Sequence, residues 1–200
     1  MKMIQFKYAI ISAAFLLGGM TTGCDTLDID NLETYDESMV WGDLNLAQAY
    51  VNNLYEECFE GWSVSADQNS DQVTGIPWYL GTITETGDSY KKWDYTKIRH
   101  INEAIFKLES SVIEDKDAVD FMLGQAYFAK GLNYITRAKA FGGYPIIDKT
   151  LTPDDELDLP RASAKETFDY GIGLLEKAAD LLNKTSPSGR PNKGAAYALL

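Results

Sequence analysis

Along most of this chain, apolar residues recur at the three- and four-residue steps of an α-helix, not at the two-residue step of a strand. Ala47, Tyr50, Val51, Leu54, Tyr55 and Cys58 share one helical face, and Asp43 stands before them as an N-cap for the free amides of the first turn. Tyr95, Ile98, Ile101, Ile105 and Leu108 make a second amphipathic helix. A third is predicted from about Asp117 to Phe141, with Phe121, Phe128, Leu132 and Ile135 on one side; Gly142-Gly143 and then Pro145 end it. A fourth carries Phe168, Ile172, Leu175, Ala179 and Leu182 behind a capping box, Ser163 to Glu166. A fifth starts after Pro191 at Lys193, and its apolar run is still continuing at Leu200. A helix that short is marginal alone, so the chain is expected to be the front part of a longer protein, incomplete at its C-terminus.

Small residues mark where these helices could approach closely. Ala126, Ala129, Gly131 and Ala138 lie on the third, Ala178 and Ala179 on the fourth, and Ala195, Ala196 and Ala198 on the fifth. Helices three to five therefore resemble tetratricopeptide-type helix pairs, with a generic bundle as the plainer alternative. The fold class expected is all-α: a tetratricopeptide-like helical scaffold with long irregular loops.

Two segments break the helical pattern. Gly61–Trp93 is rich in Gly, Ser, Thr and Asp and holds Trp62, Trp78, Tyr79, Tyr90 and Trp93. A connector of that length is usually functional or disordered, and five aromatics argue against disorder. Gly142–Pro160 contains Asp154-Asp155-Glu156 and is expected to run over the surface.

The N-terminus belongs to none of this. Lys2 and Lys7 precede an apolar run from Tyr8 to Met20, then Thr21-Thr22-Gly23-Cys24, the order of a secretory signal. The run is shorter than the ~20 residues of a spanning helix. Gly23-Cys24 resembles the lipobox of bacterial lipoproteins, with Thr21 where that motif usually has Leu. By that likeness residues 1–23 are a signal peptide and Cys24 is the lipidated new N-terminus. Ordinary cleavage near Gly23 is the alternative. Cys58 is the only other cysteine and is expected to be a buried small hydrophobe.

Charge sharpens the division. The 200 residues carry 18 Lys+Arg against 30 Asp+Glu, a net charge of −12. No base occurs from Ala9 to Tyr90, while that stretch holds 14 acids; from Lys91 onward there are 16 of each sign. Seven of the acids fall between Asp25 and Asp43, so residues 24–43 read as an acidic tether and 44–200 as the helical domain. Such a chain lacks the basic stripe that nucleic-acid binding needs.

Catalytic and cofactor motifs do not appear. There is no GxxxxGK[ST], GxGxxG or GxSxG pattern. The single histidine, His100, has no triad or metal partner in sequence and reads as a satisfied or solvent-facing side chain. Asp67-Gln-Asn69-Ser-Asp71 starts like a calcium loop, but Gln72 and Trp78 stand where Gly and Glu are required. No enzyme activity, cofactor or metal is expected.

Four stretches together resemble the N-terminal part of the SusD/RagB family of outer-membrane lipoproteins. They are Gly23-Cys24 with its acidic follow-on; Trp93-Asp-Tyr95-Thr-Lys-Ile98-Arg-His-Ile-Asn102; Gly124-Gln-Ala126-Tyr-Phe128 through Phe141-Gly142-Gly143-Tyr144-Pro145; and Leu159-Pro160-Arg161-Ala-Ser163 with the helices after it. Lys130 stands where that family usually has Arg, and Gly131 where it has Ala. The resemblance implies a cell-surface protein, anchored in the outer membrane by lipid, that captures oligosaccharide and passes it to a TonB-dependent barrel of the SusC type.

Sugars are held by stacking on aromatic rings and by hydrogen bonds to polar side chains. Within Gly61–Trp93, Trp78 and Tyr79 are the candidate stacking residues, with Trp62 beside them and Asp71 as a hydroxyl acceptor. Those aromatics could equally pin a long loop to the helices. Two other functions stay open: an assembly lipoprotein of tetratricopeptide type that binds only protein partners, and a surface glycosidase.

Overall fold

The computed structural model describes residues 36–59 and 95–200. Its elements are α1 (Glu37–Gly42), α2 (Leu44–Cys58), α3 (Thr96–Glu109), α4 (Lys116–Phe141), α5 (Ala164–Leu181) and α6 (Lys193–Tyr197), with no strand among the described residues. Chain contacts divide the protein into residues 1–36 and 37–200. No described helix is long and apolar enough to cross a membrane.

Four of the six helices start at a side-chain cap, whereas Tyr95 before α3 makes none. The Asp43 carboxylate accepts from the amides of Asn45 and Leu46 at 2.8 and 3.0 Å. Asp115 does the same for Ala118, and Asn192 for Ala195. At α5 the full capping box forms: Glu166 N donates to Ser163 Oγ, and Ser163 N donates back to the Glu166 carboxylate at 2.8 Å.

The fold is built around α4. Fifteen of its 26 residues are buried, on all sides rather than on the one stripe expected from Phe121, Phe128, Leu132 and Ile135. The difference has a simple cause: α2, α3 and α5 all pack on it. The α2 side runs parallel to α4, with Tyr55 meeting Gln125 and Phe59 meeting Phe128. The α5 side runs antiparallel, with Gly124 facing Leu181 and Leu182, and Gly131 facing Gly171 and Leu175. A Cβ on Gly131 would lie 2.8 Å from Leu175 Cγ, and one on Gly171 would lie 2.9 Å from Ile135 Cγ1. Helices α4 and α5 therefore approach as closely as their small residues suggested. With α6 packed on α5, this is a tetratricopeptide-like scaffold.

The buried face of α5 is wider than the one predicted, with Leu175, Ala179 and Leu182 buried as expected. Thr167, Gly171, Leu174 and Ala178 are buried, while Phe168 and Ile172 are only partly so. Small and polar residues at the α4 contact carry no hydrophobic signal, so the periodicity of the larger side chains misplaced the centre of the face.

Two boundaries also differ. The helical body, expected to begin at residue 44, begins at residue 37. Residues 37–42 form α1, and Trp41 is 8 % exposed, packed in the core with its ring 4.8 Å from Tyr50. Runs of acid concealed one aromatic anchor. The segment from Gly142 to Pro160, expected on the surface, dives inward first: Tyr144 and Ile147 are buried. Only its second half, near residues 152–158, is mostly exposed. The α4 C-cap Gly142 turns the chain into this segment with φ of 75°.

Candidate functional site

A buried irregular segment must find partners for its peptide groups, because it has no ladder of its own. The 142–151 segment takes them from side chains. Thr167 Oγ1 accepts from Tyr144 N at 2.9 Å and donates to Ser163 O at 2.8 Å. Tyr134 Oη accepts from Ile147 N at 2.8 Å. Asn102 Nδ2 donates to Ile147 O and to Lys149 O, at 3.2 and 2.7 Å. Arg161 donates from Nε to Gly143 O at 2.7 Å and from Nη2 to Phe141 O. Burial pushes the Tyr134 phenol well above its usual pKa, so it stays a neutral hydroxyl in this role.

Held this way, residues 147–151 form one wall of an open cleft against the start of α3. The cleft is about 260 Å3. Ile98 and Ile147 form its apolar floor, Tyr95 and Leu151 its sides, and Arg99 and Lys149 its polar edge. Arg99 Nη1 donates to Leu151 O at 2.9 Å, which fixes the guanidinium at the rim. Lys149 pairs with Asp155, and that contact holds the Asp155 carboxyl down at about 2. Tyr95 is 38 % exposed, and its ring lies 5.5 Å from Tyr144, which meets Tyr134 edge-on at 5.9 Å. An exposed tyrosine beside a guanidinium can stack on the apolar face of a ring-shaped ligand and donate to its oxygens.

Around the opposite side of α3, His100 is satisfied: its Nδ1 lies 2.8 Å from the Glu57 carboxylate. Tyr50 donates to Glu103 at 3.0 Å beside it, and burial raises the Tyr50 pKa. The pair ties α2 to α3 and offers no nucleophile. Among the described residues no three His, Cys, Asp or Glu side chains gather as a metal site. Cys58 is half-buried rather than fully enclosed.

The candidates Cys24, Trp62, Asp71, Trp78 and Tyr79 lie outside the described residues. What the structure adds is the two points where the aromatic-rich segment joins the scaffold. Phe59, before it, is stacked between Tyr55 at 4.8 Å and Phe128 at 5.9 Å. Tyr95, after it, forms part of the cleft. Sequence reasoning missed Arg99 and Lys149 as rim residues and Asn102 and Tyr134 as the side chains behind them. Asn102 left one signal, a polar residue inside the apolar stripe of α3.

The comparisons with known proteins agree on one family. The sequence pattern of the SusD-like family described as "starch-binding associating with outer membrane" matches residues 66–200. No curated protein gives a significant sequence match. Among solved structures, a SusD-like protein from Bacteroides fragilis is 29 % identical with a TM-score of 0.67, the match covering 82 % of this chain and 35 % of that one. A SusD-like carbohydrate-binding protein, also from Bacteroides fragilis, is 19 % identical with a TM-score of 0.67, over 80 % and 36 %. A laminarin-binding SusD-like protein is 19 % identical with a TM-score of 0.60, over 78 % and 38 %. The chain thus spans little more than a third of the length of these solved relatives. With more than half of its residues matched by the family pattern and its helices arranged as in those structures, the chain belongs to the SusD-like family.

Proposed function

We propose that the protein is a glycan-binding lipoprotein of the outer-membrane surface. It captures oligosaccharide without hydrolysing it and delivers it to a SusC-type TonB-dependent barrel. The observation that carries this reading is the family match over residues 66–200, in a family described as starch-binding and associated with the outer membrane. A laminarin-binding protein among the structural relatives supports a glycan as cargo. The chemistry of the chain is compatible with it. The Tyr95–Arg99 cleft pairs a ring with fixed donors, and the acid-rich segment 61–93 brings Trp62, Trp78, Tyr79 and Asp71 into the sequence immediately before it. Anchoring follows from a lipid on Cys24, with residues 1–23 removed as the signal.

The test is a glycan-array screen of the full-length protein, followed by titration of the best binder. Trp78→Ala should weaken binding about tenfold or more, the worth of one good stacking contact, and should leave the melting transition in place. Unchanged affinity would remove Trp78 from the site. Release of shortened product would replace the binding reading with a glycosidase. Absence of any glycan binding, with a protein partner recovered instead, would favour the assembly lipoprotein.

A further inference from the structure

The 147–151 wall of the Tyr95–Arg99 cleft is held from two sides. On the α3 side, Asn102 donates to the carbonyls of Ile147 and Lys149, and Arg99 donates to that of Leu151. On the other side, the Tyr134 hydroxyl of α4 accepts from Ile147 N. Between the two tethered residues stands Asp148. It is exposed, and its charge acts on Lys130 of α4 and Tyr170 of α5.

Lys130 is buried on that side without a counter-ion. It is 2 % exposed and makes no hydrogen bond or ion pair among the described residues. Its ammonium lies 5.4 Å from the centre of the Tyr170 ring. That ring meets Tyr134 edge-on at 4.8 Å, and Tyr134 holds Ile147 at the cleft floor. A packed series thus runs from the ammonium to the cleft. The other charged and titratable groups around Lys130 are Glu109 from α3, Lys177 from α5, and Tyr127 one turn earlier on α4. Tyr127 donates to Glu109 at 2.5 Å, and the Lys177 ammonium lies over the Tyr127 ring at 5.3 Å. Asp148 is the carboxylate with no such engagement. Burial strips an ammonium of its hydration, and a carboxylate brought against it offsets part of that cost. A neutral amine exerts no such pull.

We propose that the charge on Lys130 positions the cleft wall: the ammonium draws Asp148 inward and moves residues 147–149 toward α4 and α5, widening the cleft, and loss of the proton lets Asn102 and Arg99 draw them back onto α3. Lys130 is a positioning residue behind the cleft floor. Burial, partly offset by Asp148, holds its pKa down at about 8. Burial pushes Tyr127, Tyr134 and Tyr170 upward, so they stay neutral while Lys130 titrates. By linkage, a ligand that fits the wide form binds more tightly below pH 8 and raises the Lys130 pKa in return. That consequence rests on the glycan-binding reading; the movement itself does not.

The experiment uses the full-length protein, without ligand, with isotope-labelled isoleucine methyl groups. Ile98 of α3 and Ile147 of the facing segment both line the cleft, so the nuclear Overhauser effect between their methyls reports its width. In wild type the effect should be at least about twofold weaker at pH 7 than at pH 9.5, with its midpoint near 8, as a two-state shift requires. Lys130→Met should show the strong effect at both pH values. Lys130→Arg, charged throughout, should show the weak one at both. Asp148→Asn changes an exposed side chain, which keeps the test decisive if the Lys130 variants fail to fold, and should show the strong effect at both. A constant effect in wild type overturns the proposal: a purely structural lysine, or one whose field merely shifts the methyl resonances, would leave the distance unchanged. A pH response that survives in Lys130→Met or in Asp148→Asn overturns it as well. Failure here leaves the glycan reading standing, and a protein that binds nothing in the glycan array can still show the movement.

Discussion

Lys130 has only 2 % of its surface exposed, and its ammonium lies 5.4 Å from the centre of the Tyr170 ring. Burial, only partly offset by Asp148, lowers its pKa to about 8. The native state therefore holds fewer protons than the unfolded chain between pH 8 and the ordinary lysine value, and stability rises with pH in that window. Below pH 8 the full penalty applies, up to about 3 kcal/mol at 1.36 kcal/mol per pKa unit. Above pH 10 the trend reverses, because burial raises the pKa of Tyr50, Tyr134 and Tyr170, and their ionisation favours the unfolded chain. Urea melts at pH 7 and pH 9.5 should show a gain for wild type that is absent in Lys130→Met, and the variant should be the more stable at pH 7. Equal pH dependence in both would show that Lys130 is not the source. Asn102 illustrates the opposite case. Its amide closes the 142–151 segment by two bonds, so Asn102→Leu should cost about 1–3 kcal/mol in a urea melt. At this scale little of the site was legible. Sequence marks residue types, but Arg99 and Asn102 gain their meaning from backbone partners 45 to 52 positions away.

Helices tell a different story. Capping residues and apolar spacing located α2, α3, α4 and α5 to within a residue or two of their ends, because those signals are local. Faces were less legible. Thr167 and Gly171 are central to the α5 contact, yet neither contributes to a hydrophobic stripe. The α4–α5 contact should be the most sensitive to added volume. Gly131→Ala would push a methyl against Leu175, with an expected loss of about 1–3 kcal/mol. Gly143→Ala should be worse, since its Cβ would fall 1.8 Å from the carbonyl oxygen of Ala162, part of a backbone with no rotamer to change. Thermal melts of the two variants should rank them in that order; a reversed order would mean that the loop around Gly143 yields more easily than the helix pair. The early part of the Gly142–Pro160 segment was misread for a related reason. Gly and Pro mark turns well, but burial of Tyr144 depends on Tyr134, Thr167 and Arg161 being in place to satisfy its neighbours.

For the molecule as a whole, the division between acidic and charge-balanced halves was legible from composition, whereas the point within the acidic half where the helical body begins was not. Trp41 moves that point, because it places residues 37–42 in the helical body. A protein starting at Asp36 should melt like one starting at Cys24. A protein starting at Leu44 should lose roughly 3 kcal/mol with the large buried ring, visible as a drop of several degrees by calorimetry. If both truncations melt alike, α1 does not contribute to the core. The same boundary leaves five acids, Asp25, Asp28, Asp30, Glu33 and Asp36, and no base in residues 24–36.

Arg190 sets a clock on how this protein can be made. Its guanidinium lies over Tyr55 at 4.6 Å, donates to Gln125 at 3.1 Å, and reaches Asn52, 138 positions earlier in the chain. Among the described residues, one polar flank of α2 is covered by a residue that emerges long after it. At about 5–20 residues per second of synthesis, the wait is roughly 7 to 28 s. Through that interval the nascent chain keeps one polar flank of its first long helix open.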